Sequence, residues 1–257
     1  MKILSRDDLR SQLKKGDVAP VYVLFGAEKY LRDLAAKAIA EKVLKDAPLR
    51  EFNETIVSLN DEEFQYAIAS AEQLPMIASR RVVKITEVRV SATTAKDNLR
   101  EDDEQILARY LHRPAESSVV IFIADEIDKR RKISKLLLEN SVAVEFPVLS
   151  DDRLLDWAKD RLKEFGARAD DVALRQLVAL VGNNVLRLTN EIEKLAVAAL
   201  PDSMITFELV EQLVPNSREL SNFELTDHLL SRDRARAVRV VNFDSRSLEA
   251  SSFPADL

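Results

Sequence analysis

The chain has 257 residues, 46% hydrophobic and 32% charged, with 38 basic against 44 acidic side chains and a formal net charge of −6. That length favours two domains over one large core, and the acidic balance argues against a protein whose own surface grips DNA, since phosphate contacts supply most nucleic-acid affinity. The absence of Cys excludes disulfides, thiolate metal sites and cysteine catalysis, and the two histidines, His112 and His228, lack ligand spacing, so no metal site is expected. No apolar run approaches the ~20 residues needed to cross a bilayer. The start, MKILSRDDLR, has no apolar signal core. The expectation is a cytoplasmic protein with no membrane partner.

Residues 5–15 predict a short helix capped by Ser5 and broken at Gly16-Asp17. The apolar run 19–25, closed by Gly26, reads as a buried parallel strand. Residues 27–45 carry Leu31, Leu34, Ala35, Ala38, Ile39 and Val43 at helical spacing. A short strand over 56–59 follows, then a helix over 62–73 capped by Asp61. Strands are predicted over 81–85, 118–124 and 142–146, and helices over 101–112 and 129–139. Ser91 to Thr94 is a loop, and Asp97 to Asp103 (DNLREDD) reads as a charged, solvated stretch. Strands alternating with helices imply a parallel sheet covered on both faces, over residues 1–147.

After Pro147 the period changes. Residues 151–165, 171–181, 185–199 and 206–214 all read as helices, with no strand pattern between them, so 148–215 is a small helical domain. Trp157 is placed as a packing residue of the core or between domains, and Asn183-Asn184 is a turn and cap signal. Residues 222–230 and 233–241 read as a helix pair opening a third unit, 216–241. The stretch 242–257 has neither period nor apolar face. It reads as a disordered, frameshifted or vector-derived end, or as an ordinary polar terminus; the first reading is preferred because the helix rising through Val238, Val240 and Val241 has no continuation.

A strand, a Gly and a helix near the start of an α/β domain raise the question of a phosphate loop. Such a loop requires G-x-x-x-x-G-K-[ST], whose backbone N–H groups wrap the phosphates. The segment here, Phe25-Gly26-Ala27-Glu28-Lys29-Tyr30, has one Gly, no hydroxyl after the Lys, and Glu28 where phosphate would sit. ATP binding is rejected and no cofactor is expected. Asp125-Glu126 after an apolar strand imitates a Walker B pair, but acidic residues closing a strand are ordinary turn chemistry. Lys129 to Lys132 is a basic run at a helix start, more simply a solvated face than a nucleic-acid contact. No nucleophile elbow or triad signature is present, so no catalytic residue is assigned.

The ordered set of segments is more specific than any one of them. Pro20-Val21-Tyr22-Val23-Leu24-Phe25-Gly26-Ala27-Glu28 is followed by Leu74-Pro75-Met76-Ile77-Ala78-Ser79-Arg80-Arg81-Val82-Val83, then Val119 to Ile123 with Asp128-Lys129-Arg130. Ala143 to Phe146, Val181-Gly182-Asn183-Asn184 and Asn190 to Leu195 complete it. Over about residues 17–241 the chain resembles the delta subunit of the bacterial DNA polymerase III clamp loader. The resemblance implies an AAA+-like α/β domain without a working nucleotide site, a helical lid and the beginning of a helical collar. It implies no catalysis by the chain itself, within a complex classed as a DNA-directed DNA polymerase, a nucleotidyltransferase. The implied partners are the sliding clamp, the ATPase subunits of the loader, and primed DNA through the assembly. It further implies that Leu74, Met76 and Ile77, with Ser79 and Arg80 following, contact the clamp. The residues themselves are compatible: Pro75 stops a helix from continuing, and an exposed Met-Ile pair would make a flexible apolar plug. The alternatives are that the pair folds back onto the sheet, and that the chain is an AAA+-derived helical scaffold or regulator with another protein partner.

Overall fold

The computed structural model describes residues 3–93 and 97–215, so the helix pair predicted over 222–241 and the 242–257 stretch lie outside the described residues. The chain divides into two compact units between Leu149 and Ser150.

The first unit opens with β1 (Ile3–Leu4) and α1 (Arg6–Lys15). Ser5 caps α1 as expected: its hydroxyl accepts from the Asp8 amide, and the Asp8 carboxylate accepts in return from the Ser5 amide at 3.0 Å. Gly16 ends the helix in the left-handed region, φ 86°. Then come β2 (Val21–Phe25), α2 (Lys29–Val43), β3 (Glu54–Ser58), α3 (Phe64–Glu72), β4 (Arg81–Val90), α4 (Glu104–His112), β5 (Ser118–Ile127), α5 (Lys132–Glu139) and β6 (Val142–Glu145). All strand pairs are parallel, in the order β1-β6-β2-β5-β4-β3.

Why the central strands are unbroken apolar runs follows from their place. Every residue of β2 is buried, paired to β5 on one side (Val23 opposite Phe122) and to β6 on the other (Val23 opposite Ala143). Val21, Val23, Phe25, Val120 and Phe122 form one core with Ile68 of α3, Leu107 of α4 and Leu137 of α5. α1 and α2 contact the sheet as well, with Leu31, Ala35 and Ile39 of α2 buried.

Several sequence expectations need correction. Ala38 of α2 is exposed, and the buried stripe instead includes Ala36, Ala40 and the side chain of Arg32. Asp61 does not cap α3, whose N-cap is Glu63 with no side-chain bond. Asp97 is buried: its carboxylate accepts from the Ser91 amide at 2.7 Å and meets Arg131 at 3.1 Å, while Leu99 enters the core. The 97–103 stretch is therefore anchored to the unit, and its last three residues, Glu101–Asp103, form a 3-10 turn leading into the helix that follows. The last helix of this unit starts at Lys132 rather than Lys129.

The second unit contains α6 (Asp151–Glu164), α7 (Asp171–Val181), α8 (Val185–Ala198) and α9 (Phe207–Leu213). Two short strands unforeseen in the sequence, β7 (Arg168–Ala169) and β8 (Met204–Ile205), pair in parallel between them. Leu154, Leu177, Leu188, Ile192 and Val210 fill the interior. Trp157 is part of this core, its indole N–H donating to Thr189 Oγ1 at 3.2 Å. Asn184 caps α8 by accepting from the Arg187 amide at 2.9 Å.

Candidate functional site

Two places in the α/β unit carry chemistry suggested by the sequence: the C-terminal ends of the central strands, where open α/β sheets bind ligands, and the corner between α3 and β4.

At the strand ends, Gly26 leaves β2 with φ 120°. A Cβ there would lie 2.7 Å from the carbonyl carbon and 2.9 Å from the amide nitrogen of Phe146. Phe146 donates to the Phe25 carbonyl at 2.7 Å, and Glu28 donates to the Phe146 carbonyl at 3.0 Å. The glycine thus permits close contact with the chain leaving β6; the amide of Glu28 is already spent on protein. Asp125 and Glu126 belong to β5 rather than to a turn. Arg32, buried on α2, donates to Asp125 Oδ1 at 2.7 Å and to the Ala124 carbonyl. Burial alone would raise the Asp125 carboxyl, but the hydrogen bond and charge of Arg32, with Lys29 behind it, hold it below its ordinary value. Burial pushes the Glu28 carboxyl up. The cationic partner that a Walker-type acid would find in a bound metal ion is here supplied to Asp125 by Arg32 of the protein itself.

The basic run is likewise neutralised within the unit. Lys129 meets Glu145 at 2.8 Å, Arg130 meets Asp128 at 2.6 Å, Arg131 meets Asp97 and Glu101, and Lys132 meets Glu104 at 2.8 Å.

The corner is different in kind. α3 ends at Glu72, and Leu74, Met76 and Ile77 stand 82%, 50% and 74% exposed. Ser79 and Arg80 are exposed beside them, leading into β4. These side chains do not fold back onto the sheet. Ile77 adopts φ 50°, unusual for a β-branched residue. The backbone beneath is braced. Asn53, which precedes β3 and is 0% exposed, accepts from the Met76 amide at 2.7 Å and donates to the Met76 carbonyl at 2.8 Å. Arg81 reaches Gln73 Oε1 at 2.9 Å and Thr55 Oγ1 at 2.8 Å. Burial pulls the Arg81 pKa down. Neither Asn53 nor Arg81 carried a sequence signal: an Asn before a short strand looks like turn chemistry, and its partner lies 23 positions away.

Residues 22–147, which include both places, match the family described as DNA polymerase III, delta subunit. The chain resembles this family over that stretch. Similarity to a curated delta subunit of Bacillus subtilis extends over 235 residues at 28% identity, 91% of this chain and 67% of that protein. A probable delta subunit of Aquifex aeolicus is 24% identical over 86% of this chain and 63% of its own length. The chain thus spans about two thirds of the length of the curated relatives it matches. The solved structure of the Bacillus subtilis DNA clamp loader delta protein is similar with a TM-score of 0.69 and 26% identity, covering 96% of this chain and 73% of that one. The fold is the AAA+-like α/β unit followed by a helical unit that the resemblance implied. No helix among the described residues is long and apolar enough to cross a membrane.

Proposed function

We propose that this chain binds the sliding DNA clamp through the Leu74/Met76/Ile77 corner and favours the open ring, without binding nucleotide itself. The observation that carries the reading is the corner: three exposed apolar side chains on a backbone held by buried polar groups. An apolar anchor that is ordered before docking loses less conformational freedom on binding. Leu74, Met76 and Ile77 enter a pocket on the clamp, and Ser79 and Arg80 flank the contact. The engagement shifts the ring equilibrium only as far as open clamp is bound better than closed. ATP acts in neighbouring loader subunits, and primed DNA is met through the assembly. The helical unit after Ser150 serves as the lid.

Release of a clamp from nicked circular DNA tests the reading. The chain, added without ATP, is expected to accelerate release in proportion to its occupancy of the clamp. Binding without any acceleration would leave a clamp contact but remove ring opening. Neither binding nor release by a folded chain would favour the scaffold reading.

A further inference from the structure

We infer that Asn53 is the positioning residue of the docking corner: its buried carboxamide fixes the backbone of Met76 and thereby the outward aim of Leu74 and Ile77. The inference rests on the clamp-docking reading for its affinity consequence, but its structural half stands independently.

The orientation of the amide is dictated by its partners. Met76 N–H needs an acceptor, and the carbonyls of Met76 and Leu49 need donors. Oδ1 meets the first at 2.7 Å, and Nδ2 meets the two carbonyls at 2.8 and 3.3 Å. One side chain therefore pairs with both polar groups of Met76, as a neighbouring strand would. Its own carbonyl accepts from Val82 at the start of β4 at 2.8 Å, so the hub is anchored to the sheet. The two residues it steadies on either side, Leu49 and Ile77 (the latter directly after Met76), have φ 52° and 50°. Non-glycine residues persist in that region when their surroundings over-determine them. Asn53 joins the two: it donates to the Leu49 carbonyl, which also accepts from the Phe52 amide at 3.0 Å, and it grips the peptide unit that enters Ile77. A carboxamide supplies the donor and the acceptor that this pairing needs from one planar group.

Apparent affinity scales with the fraction of molecules already in the docking conformation. If loss of the brace leaves about one molecule in ten with the corner so arranged, the dissociation constant rises about 10-fold. The side chains that touch the clamp would be unchanged.

The test combines amide hydrogen exchange with clamp binding, on the full chain and on Asn53→Ala and Asn53→Asp, the latter keeping an acceptor for Met76 N–H while losing both donors. In the parent, the Met76 amide is expected to exchange slowly although its side chain is half exposed; rapid exchange would overturn the inference without any variant. In Asn53→Ala, Met76 protection should vanish while the amides of β2 and β5 stay protected, and clamp affinity should fall about 10-fold. A general structural role would instead lower protection throughout the sheet. Undiminished affinity with Met76 unprotected would overturn the positioning role. If the parent does not bind clamp at all, the docking reading fails, and the exchange pattern alone decides whether Asn53 orders the corner. If Asn53→Ala does not fold, parent exchange and Asn53→Asp carry the decision.

Discussion

Ile77→Asp separates docking from folding. The side chain is 74% exposed, so the fold gains little from it: full burial of an Ile is worth about 1.5–3 kcal/mol, and only a quarter of that area is covered. The substitution thus removes roughly 0.5 kcal/mol of burial. Against this stands the backbone. At φ 50° a β-branched residue is strained, and Asp tolerates that region better, which returns a few tenths of a kcal/mol or more. Net stability should stay within about 0.5 kcal/mol of the parent. Docking is another matter. The remaining three quarters of the side chain would be covered in a clamp pocket, worth about 1–2 kcal/mol. A carboxylate put there without a partner costs about 2 kcal/mol more. Together these predict at least 100-fold weaker binding. Thermal unfolding by circular dichroism and clamp titration by fluorescence anisotropy read the two quantities separately. An unfolding midpoint lowered by several degrees would refute the reasoning, because it would place Ile77 in the core. So would unchanged affinity.

Four further outcomes follow from the geometry. Gly26→Ala should destabilise the α/β unit by about 3 kcal/mol, because the new Cβ meets Phe146 backbone and φ 120° is strained, as measured by urea unfolding. Asp125→Ala, which leaves the Arg32 guanidinium buried without its carboxylate, should cost about 2 kcal/mol in the same assay. Asn184→Ala should cost about 1 kcal/mol through loss of the α8 cap. Stability should also fall in acid. Asp125 and Glu54 are both held below their ordinary values, 3.8 and 4.5, by Arg32 and by Lys84 with Arg50, against the opposing effect of burial. A depressed folded pKa gives stabilisation that is present above the unfolded value and lost as pH falls through the folded one. Unfolding midpoints should therefore decline below about pH 4.5, less steeply in Glu54→Gln.

What was legible in the sequence was whatever a periodic pattern of sufficient length records. The buried strands β2 and β5 announce themselves because both faces are covered, and α1 and α8 because Ser5 and Asn184 cap them with their own side chains. β1, β7 and β8 escaped because two residues define no period. Asp97 looked solvated because charge is read locally, whereas its burial depends on Arg131, 34 positions on. The same limit hid the relation of Arg32 to Asp125, separated by 93 positions, and of Asn53 to Met76. The apolar character of Leu74, Met76 and Ile77 could not say by itself whether they faced inward or outward. Their exposure follows from the chain turning at Ile77 over a polar brace rather than over the core.

Titration of the purified chain against a bacterial sliding clamp in the absence of nucleotide, beside the Met76→Ala/Ile77→Asp double variant, tests the clamp contact most directly. Saturable binding by the parent, lost in a variant that remains folded, is the predicted result. A well-folded parent that fails to bind, or a variant that binds as well as the parent, would contradict it.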